Sequence, residues 1–390
     1  MQKKIIALAV AGLMSGAAFA QSNVTISGLV RMSAEQYKLS NVGAGNQSST
    51  ENRISDQSSM LVFSGKEDLG GGMYAGFVID NRFSPDLGAF GASGNTNINL
   101  GGNWGRVAMG RQDLHYGTAI ESYKAYTLQN ILSNGPFAQV MGYTIANGTR
   151  TPNVLMYDSP NMSGFSARVA LSSNWAANEG RGTAAAGAAV GDPGKGKATN
   201  IALNYANGPI KAGYSYWKAE VEGGKLNAAV TAAATATAMP TMSNADQRGD
   251  TLQFSYAFPM GVSVGLAWNK SKVQWADGDA SRTAWLLPIS YTFGASQVAF
   301  TYNKVGNVST GGVLAGNNSD TGANAYTLAY GYSLSKRTNI GIAYTKLDNK
   351  TNATYNLFAL TTNGATPVGS ANAAAGSDVS QMSVNMNHSF

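Results

Sequence analysis

Few residues in this chain could carry acid–base, nucleophilic or metal chemistry. Among 390 residues there are two histidines, His115 and His388, and no cysteine. His115 follows Asp113 and precedes Ser122, so a serine-hydrolase triad can be drawn, with serine as nucleophile and histidine as base oriented by the carboxylate. Nothing in the spacing fixes that geometry. Two separated histidines without a carboxylate cluster make a poor metal site, and no cofactor or metal is expected. The segment Gly191-Asp192-Pro193-Gly194-Lys195-Gly196-Lys197 fits G-x-x-x-x-G-K, but Ala198 follows where a phosphate loop needs Ser or Thr. A phosphate loop also needs a buried strand before it and a helix after it. Neither is indicated, and the segment reads as a Gly-rich surface loop.

The elements around these residues have period two. Val24, Ile26, Gly28, Val30 and Met32 share one parity, while Thr25, Ser27, Arg31, Ser33 and Glu35 hold the other. At the far end Met382, Val384, Met386, His388 and Phe390 alternate with Gln381, Ser383, Asn385, Asn387 and Ser389. Such strands have one apolar and one polar face. Period alone does not decide which face points inward. Connection lengths say more, because sixteen segments of this kind can be marked between residues 24 and 390. Tight turns such as Gly70-Gly71-Gly72 and Asn207-Gly208-Pro209 alternate between them with connections that are mostly much longer. An even number of strands of about ten residues, with short turns on one rim and long loops on the other, is the pattern of an outer-membrane barrel. The expected fold is an all-β, 16-stranded antiparallel transmembrane barrel, wide enough for an aqueous lumen.

Composition agrees. The chain holds 47 Gly, 18 Tyr, 13 Phe and 6 Trp but only 12% charged residues. Lys3 and Lys4, the apolar run Ile5 to Leu13 and Ala18-Phe19-Ala20 read as a secretory signal over residues 1–20, leaving a mature barrel domain of residues 21–390. Without Lys3 and Lys4 the mature part has 25 basic against 21 acidic side chains, too modest an excess to suggest nucleic acid. Tyr214, Tyr216, Trp217, Trp268, Tyr291, Phe293, Tyr330, Tyr332 and Tyr344 fall toward strand ends, as an interfacial girdle would.

Several stretches resemble the general trimeric Gram-negative porins of the β-proteobacterial type. They are Val24 to Gly28, Glu67-Asp68-Leu69-Gly70-Gly71-Gly72, Trp104 to Gln112, Tyr157-Asp158-Ser159-Pro160 with Gly164-Phe165, and the terminal Phe390. They recur in the family's order along the mature chain. The resemblance implies a homotrimer in the Gram-negative outer membrane, among its lipid and lipopolysaccharide, and a third loop folded into the lumen. It also implies that barrel-assembly machinery recognises Phe390. The chain departs from the family's usual pattern at Met60, Ser64 and Met156, where basic residues are common, and at Arg31, where an acid is common.

The function implied is passive diffusion of small hydrophilic solutes and ions. Residues 113–149 form the third loop, expected to carry Asp113 and Glu121 into the pore. Parity places Arg31, Lys66, Arg82 and Arg106 on the facing wall. Arg111 joins them by resemblance, although simple alternation points it outward unless its strand bulges. Bases outnumber acids, so weak to moderate anion selectivity is expected. A substrate-specific channel or surface receptor is the alternative, and a barrel hydrolase built on His115 and Ser122 is a third.

Overall fold

The computed structural model describes residues 23–41, 48–57, 59–115, 150–175, 196–221, 245–312, 319–353, 355 and 375–390. Period-two alternation becomes strand throughout. The segments are β1 (Asn23–Ser40), β2 (Ser49–Asp56), β3 (Ser59–Gly70), β4 (Met73–Ser84), β5 (Ala89–Gly102) and β6 (Gly105–Asp113). There follow β7 (Arg150–Asp158), β8 (Phe165–Ser172), β9 (Gly196–Asn207), β10 (Ile210–Val221), β11 (Asp246–Ala257) and β12 (Val262–Gln274). The last are β13 (Gly278–Phe293), β14 (Ser296–Val305), β15 (Ser309–Gly312), β16 (Ala323–Ser333), β17 (Thr338–Asn349) and β18 (Asp378–Ser389). Each pairs antiparallel with its neighbours, and β1 closes on β18 from Leu29↔Ser389 to Ser40↔Asp378. A closed sheet has no unpaired edge to expose to lipid.

The eighteen segments occupy sixteen wall positions, because two strands are interrupted. β2 pairs with Met32–Leu39 of β1 and β3 pairs with Asn23–Leu29 of the same strand. Between them two residues of β1, Val30 and Arg31, span the step from Asp56 to Met60, which is one residue longer on the second strand. Side chains and loop backbone bridge the gap: Gln57 N–H donates to the Arg31 carbonyl at 3.0 Å, and Arg31 N–H donates to Ser59 Oγ at 2.9 Å. β14 and β15 share β13 in the same way, with Arg282 and Thr283 facing residues 306–308. A bulge of this kind flips parity. Ile54 of β2 and Leu61 of β3 both lie on the outer face although one number is even and the other odd.

Burial is inverted relative to a soluble barrel. Val24, Ile26, Ile79, Leu328 and Ile342 are exposed on the outer face, with Val30, Leu61, Phe63 and Phe77 half-buried beside them. Buried on the inner face are polar groups such as Ser33, Asn97, Asn200, Thr251, Asn269, Thr345 and Asn385. The apolar surface is the one presented to the bilayer.

The inner wall also carries two apolar tracts. One runs over β6 to β10, where Ala108, Val154, Met156, Ala170, Ala198 and Trp217 cluster with Leu114, the residue after β6. The other runs from β12 through β18 to β1, where Leu286, Val305, Leu347, Val379 and Tyr37 cluster with Ala353 and Tyr355 of the connection after β17. Trp217 is thus an inner-wall residue with 0% exposure rather than part of the girdle. Tyr291, Phe293, Tyr330, Tyr332 and Tyr344 are exposed outward, as a girdle requires.

One rim carries the turns at Gly70–Gly72, 103–104, 159–164, 208–209, 258–261, 294–295 and 334–337. At the first of these Gly70, Gly71 and Gly72 all have positive φ, 77°, 60° and 78°, which side chains would oppose. The opposite rim has the longer connections, except after β4 and β12, where the strands run on and the links shrink to residues 85–88 and 275–277.

Candidate pore constriction

The described part of the connection after β6 starts inward. His115 has 0% exposure, and its imidazole reaches the inner face of strands four and five positions around the wall. Nδ1 lies 3.0 Å from Ser215 Oγ on β10 and Nε2 lies 3.2 Å from Thr251 Oγ1 on β11. One ring nitrogen donates and the other accepts, and the hydroxyls take complementary roles. Asn200 donates to Ser215 Oγ at 2.9 Å and Asn269 donates to Thr251 Oγ1 at 2.8 Å, which orients both hydroxyls. Burial pushes the imidazole down to about 3, so it is neutral at physiological pH. Ser122, the nucleophile of the hydrolase reading, and Glu121, the expected acid of the loop, lie outside the described residues. Among those described, no group of three acids and histidines is placed to hold a metal.

The expected basic wall separates into two tiers. In the first, Arg31 of β1 is within reach of the charges of both Arg82 of β4 and Asp56 of β2. Arg82 Nη2 is 2.8 Å from Asp80 Oδ2. Arg150, the first residue of β7, feels the charges of Arg82, Arg111, Asp113 and Asp80 together. Four guanidiniums and three carboxylates therefore share one region of the wall. A bulge lies at Arg111: Gly110 pairs with Val154 but Gln112 pairs with Thr151, so Arg111 faces both Pro152 and Asn153. Gly110 has a φ of 136°, and a Cβ there would lie 2.2 Å from the Thr96 carbonyl oxygen, so only glycine fits beside the bulge. Asp113 ends β6 and is gripped by Asn95, which accepts its N–H at 2.6 Å and donates to its carboxylate at 3.3 Å.

Arg106 and Lys66 form the second tier, near the short-turn rim. Arg106 is five residues before Arg111 on β6, about 16 Å along the strand. It binds Asp158 Oδ2 at 2.6 Å, and Arg168 of β8 clamps the same carboxylate from Oδ1 at 2.5 Å. Lys66 Nζ sits 4.1 Å over the Tyr74 ring. Lys66, Arg106, Asn99, Thr25 and Ser64 line a cavity of about 720 Å³ on the inner wall.

Arg150 and Asp80 were not among the expected site residues. The Asp113↔Arg150 register across β6 and β7 carries Arg150 into the upper tier, and register is invisible in one strand's pattern. Glu35 is a further buried acid: its carboxylate accepts from Ser33, Ser55, Gln57 and Arg53, the last at 2.7 Å. That network fills all its lone pairs, as a buried carboxylate requires.

The family model of the Gram-negative porins matches residues 7–352. This chain belongs to that family. The porin is 33% identical over 175 residues to outer membrane porin protein 32 of Delftia acidovorans, a stretch covering 43% of this chain and 48% of that protein. It is 26% identical over 384 residues to an outer membrane porin protein of Bordetella pertussis, covering 87% of this chain and 92% of that one. The solved anion-selective porin from Comamonas acidovorans superposes with a TM-score of 0.71 at 23% identity, over 95% of this chain and 100% of that one. The trimer form of OmpT from Vibrio cholerae superposes with a TM-score of 0.60 at 11% identity, over 95% and 99%. As a family member with a closed sixteen-position barrel, the chain is an outer-membrane porin, and the relatives it matches are channels.

Proposed function

We propose that this porin is a homotrimeric diffusion channel with a moderate preference for anions, set by the upper tier of Arg31, Arg82, Arg111 and Arg150. The observation that carries this reading is the mutual proximity of those charges on one inner-wall region. The two apolar tracts occupy other parts of the inner wall, one packed with Leu114 after β6 and the other with Ala353 and Tyr355 after β17. Permeating ions are thereby directed along the cationic wall, where side-chain charge sets ion preference. Asp56, Asp80 and Asp113 temper the field, which is why the preference is moderate. Lys66 and Arg106 act as a weaker vestibule toward the short-turn rim.

The rest of the reading follows the family. Residues 1–20 are removed on export, the short-turn rim faces the periplasm and the long-connection rim the exterior, where lipopolysaccharide surrounds the barrel. Phe390 addresses the chain to the assembly machinery. The names of the relatives support the assignment, since one solved structure is called an anion-selective porin and another a trimer form.

The test is the zero-current potential of the purified protein in a planar bilayer across a salt gradient. An anion-directed potential that shrinks as salt rises is expected, because screening shortens the reach of the wall. A cation-directed potential overturns the proposal. Mass in mild detergent tests the trimer separately, and a monomer there removes that part alone.

A further inference from the structure

Among the described residues no carboxylate pairs with Arg282 of β13, although it is only 5% exposed. Its Nη1 donates to the Tyr355 hydroxyl at 2.8 Å, and its Cζ lies 5.5 Å from the centre of the same ring. Nη2 is buried without a hydrogen-bond partner. An arginine stays charged when buried, and a buried charge is costly unless it is paired. The connection that supplies Tyr355 has no acid between Lys350 and Asp378. The surroundings are apolar on both sides. Ala280 and Ala284 flank Arg282 on the inner face of β13, each with 0% exposure. Ala280 packs with Val273, Trp275 and Val308, whereas Ala284 packs with Leu286 and Val305 in the cluster that contains Tyr355. The charge thus sits between two apolar clusters, where the change from β14 to β15 interrupts the ladder beside β13.

A phenol answers a guanidinium poorly, because it is neutral and here engages one nitrogen. A carboxylate engages two nitrogens at once and brings the opposite charge. The Tyr355 ring already shows that the tract accepts an aromatic body beside the guanidinium. Its backbone is held separately: Asn349 Oδ1 accepts the Tyr355 N–H and Asn349 Nδ2 donates to the Tyr355 carbonyl, both at 2.9 Å. The ring can therefore turn aside about its own side-chain bonds while the connection stays on the wall. We propose that Arg282 binds solutes that carry a carboxylate on an apolar ring, and that Tyr355 holds the place until such a solute displaces it. The apolar walls fit the ring and the guanidinium fixes the carboxylate, the usual division of labour in a small-molecule site. This site lies on β13, apart from the upper tier on β1, β4, β6 and β7, and it retains one class of anion rather than setting general ion preference.

The experiment records chloride current through the full mature protein in a planar bilayer as sodium benzoate is added. Acetate supplies the charge without the ring, and benzamide the ring without the charge. Benzoate should lower the current saturably, at concentrations about tenfold or more below those at which acetate or benzamide acts. Arg282→Gln should weaken the benzoate effect by about tenfold or more. Tyr355→Phe, which removes the hydroxyl bound by Nη1, should strengthen it severalfold. Heat-modifiable gel mobility shows that each variant is folded. Should Arg282→Gln not fold, Arg282→Lys takes its place, and loss of the paired nitrogens should again weaken benzoate. No saturable benzoate effect, an equal effect in the arginine variant, or an equal effect of acetate overturns the proposal. A weaker effect in Tyr355→Phe overturns it as well. Loss of the effect in Arg150→Gln but not in Arg282→Gln would put benzoate on the upper tier, which also overturns it. The zero-current potential is read before benzoate is added, so the ion-preference proposal fails or stands separately.

Discussion

Gly28 and the terminal Phe390 exchange both backbone hydrogen bonds at 3.1 Å, and the Phe390 ring lies over the glycine where a side chain would otherwise stand. A Cβ at position 28 would sit 2.4 Å from Phe390 Cζ and 2.8 Å from the Met60 carbonyl oxygen. The ring can swing aside, but the carbonyl belongs to the ladder between β1 and β3. Gly28→Ala should therefore loosen the seam at which the first and last strands close the barrel, by about 1–3 kcal/mol as overpacking does. Thermal unfolding in detergent measures this. Gly28→Ala combined with Phe390→Leu should recover only the part due to the ring. An unchanged melting temperature for Gly28→Ala would remove the seam argument.

His115 makes the anchoring of the third connection sensitive to acid. Its imidazole is held down to about 3 by burial, against about 6.5 in an unfolded chain. Between those values the released form binds the extra proton, so the anchored form gains stability as pH rises and loses it as pH falls. At pH 5 the loss relative to neutrality is about 2 kcal/mol, at 1.36 kcal/mol per pH unit. Limited proteolysis of residues 116–149 should accelerate from pH 7 to pH 5 in the native protein, and the acceleration should be smaller in His115→Gln. Parallel pH profiles for the two proteins would rule the histidine out as the sensor.

Much of this was legible in the sequence because alternation gives faces directly. The inversion of burial at Ile26, Leu328 and Ile342, the sixteen wall positions and the turn at Gly70–Gly72 all follow from period two and glycine placement. What escaped was what alternation cannot carry. Ser49–Asp56 and Ser309–Gly312 are strands that simple alternation does not join to their companion segments, because each bulge flips parity between them. Parity also says nothing of height along the axis, so it puts Lys66 and Arg106 on the same wall as Arg31 without separating the two tiers. Arg150 hid at the end of a long connection, and only the β6–β7 register reveals its neighbours. Trp217 sat among outward aromatics, yet its odd number on β10 already marked it as inward.

The two faces should differ sharply in tolerance of charge. Leu328 is exposed on the outer face of β16, whereas Ser27 is a lumen residue of β1. Leu328→Arg places a guanidinium in hydrocarbon and should cost about 2–4 kcal/mol near the bilayer midplane, while Ser27→Arg meets water and should cost little. Equilibrium unfolding from lipid bilayers in urea compares them. Similar losses at both positions would mean that inside and outside have been exchanged.

The separation of the basic residues into tiers predicts which of them govern selectivity. Arg150 belongs to the cluster with Arg82 and Arg111, while Lys66 lies over Tyr74 and lines the lower cavity together with Arg106. A unit charge about 5 Å from a permeating ion contributes about 0.8 kcal/mol even at the dielectric constant of water, roughly a fourfold gain for an anion and a fourfold loss for a cation. By the proposed function an ion travels along the upper tier and so close to Arg150, whereas Lys66 faces the cavity nearer the short-turn rim. Arg150→Gln should therefore lower the anion-to-cation permeability ratio, by up to about sixteenfold before screening. Lys66→Gln should change it less, and mainly at low salt, where the Debye length reaches about 30 Å at 0.01 M. At 1 M the screening length is about 3 Å, so the residual effect should belong to Arg150 alone. Arg82 is the poorer probe, because its removal strands the buried Asp80 carboxylate that it pairs with at 2.8 Å. Reversal potentials of the two variants at both salt concentrations settle the matter. Equal effects at high salt would place Lys66 in the constriction and collapse the two tiers into one.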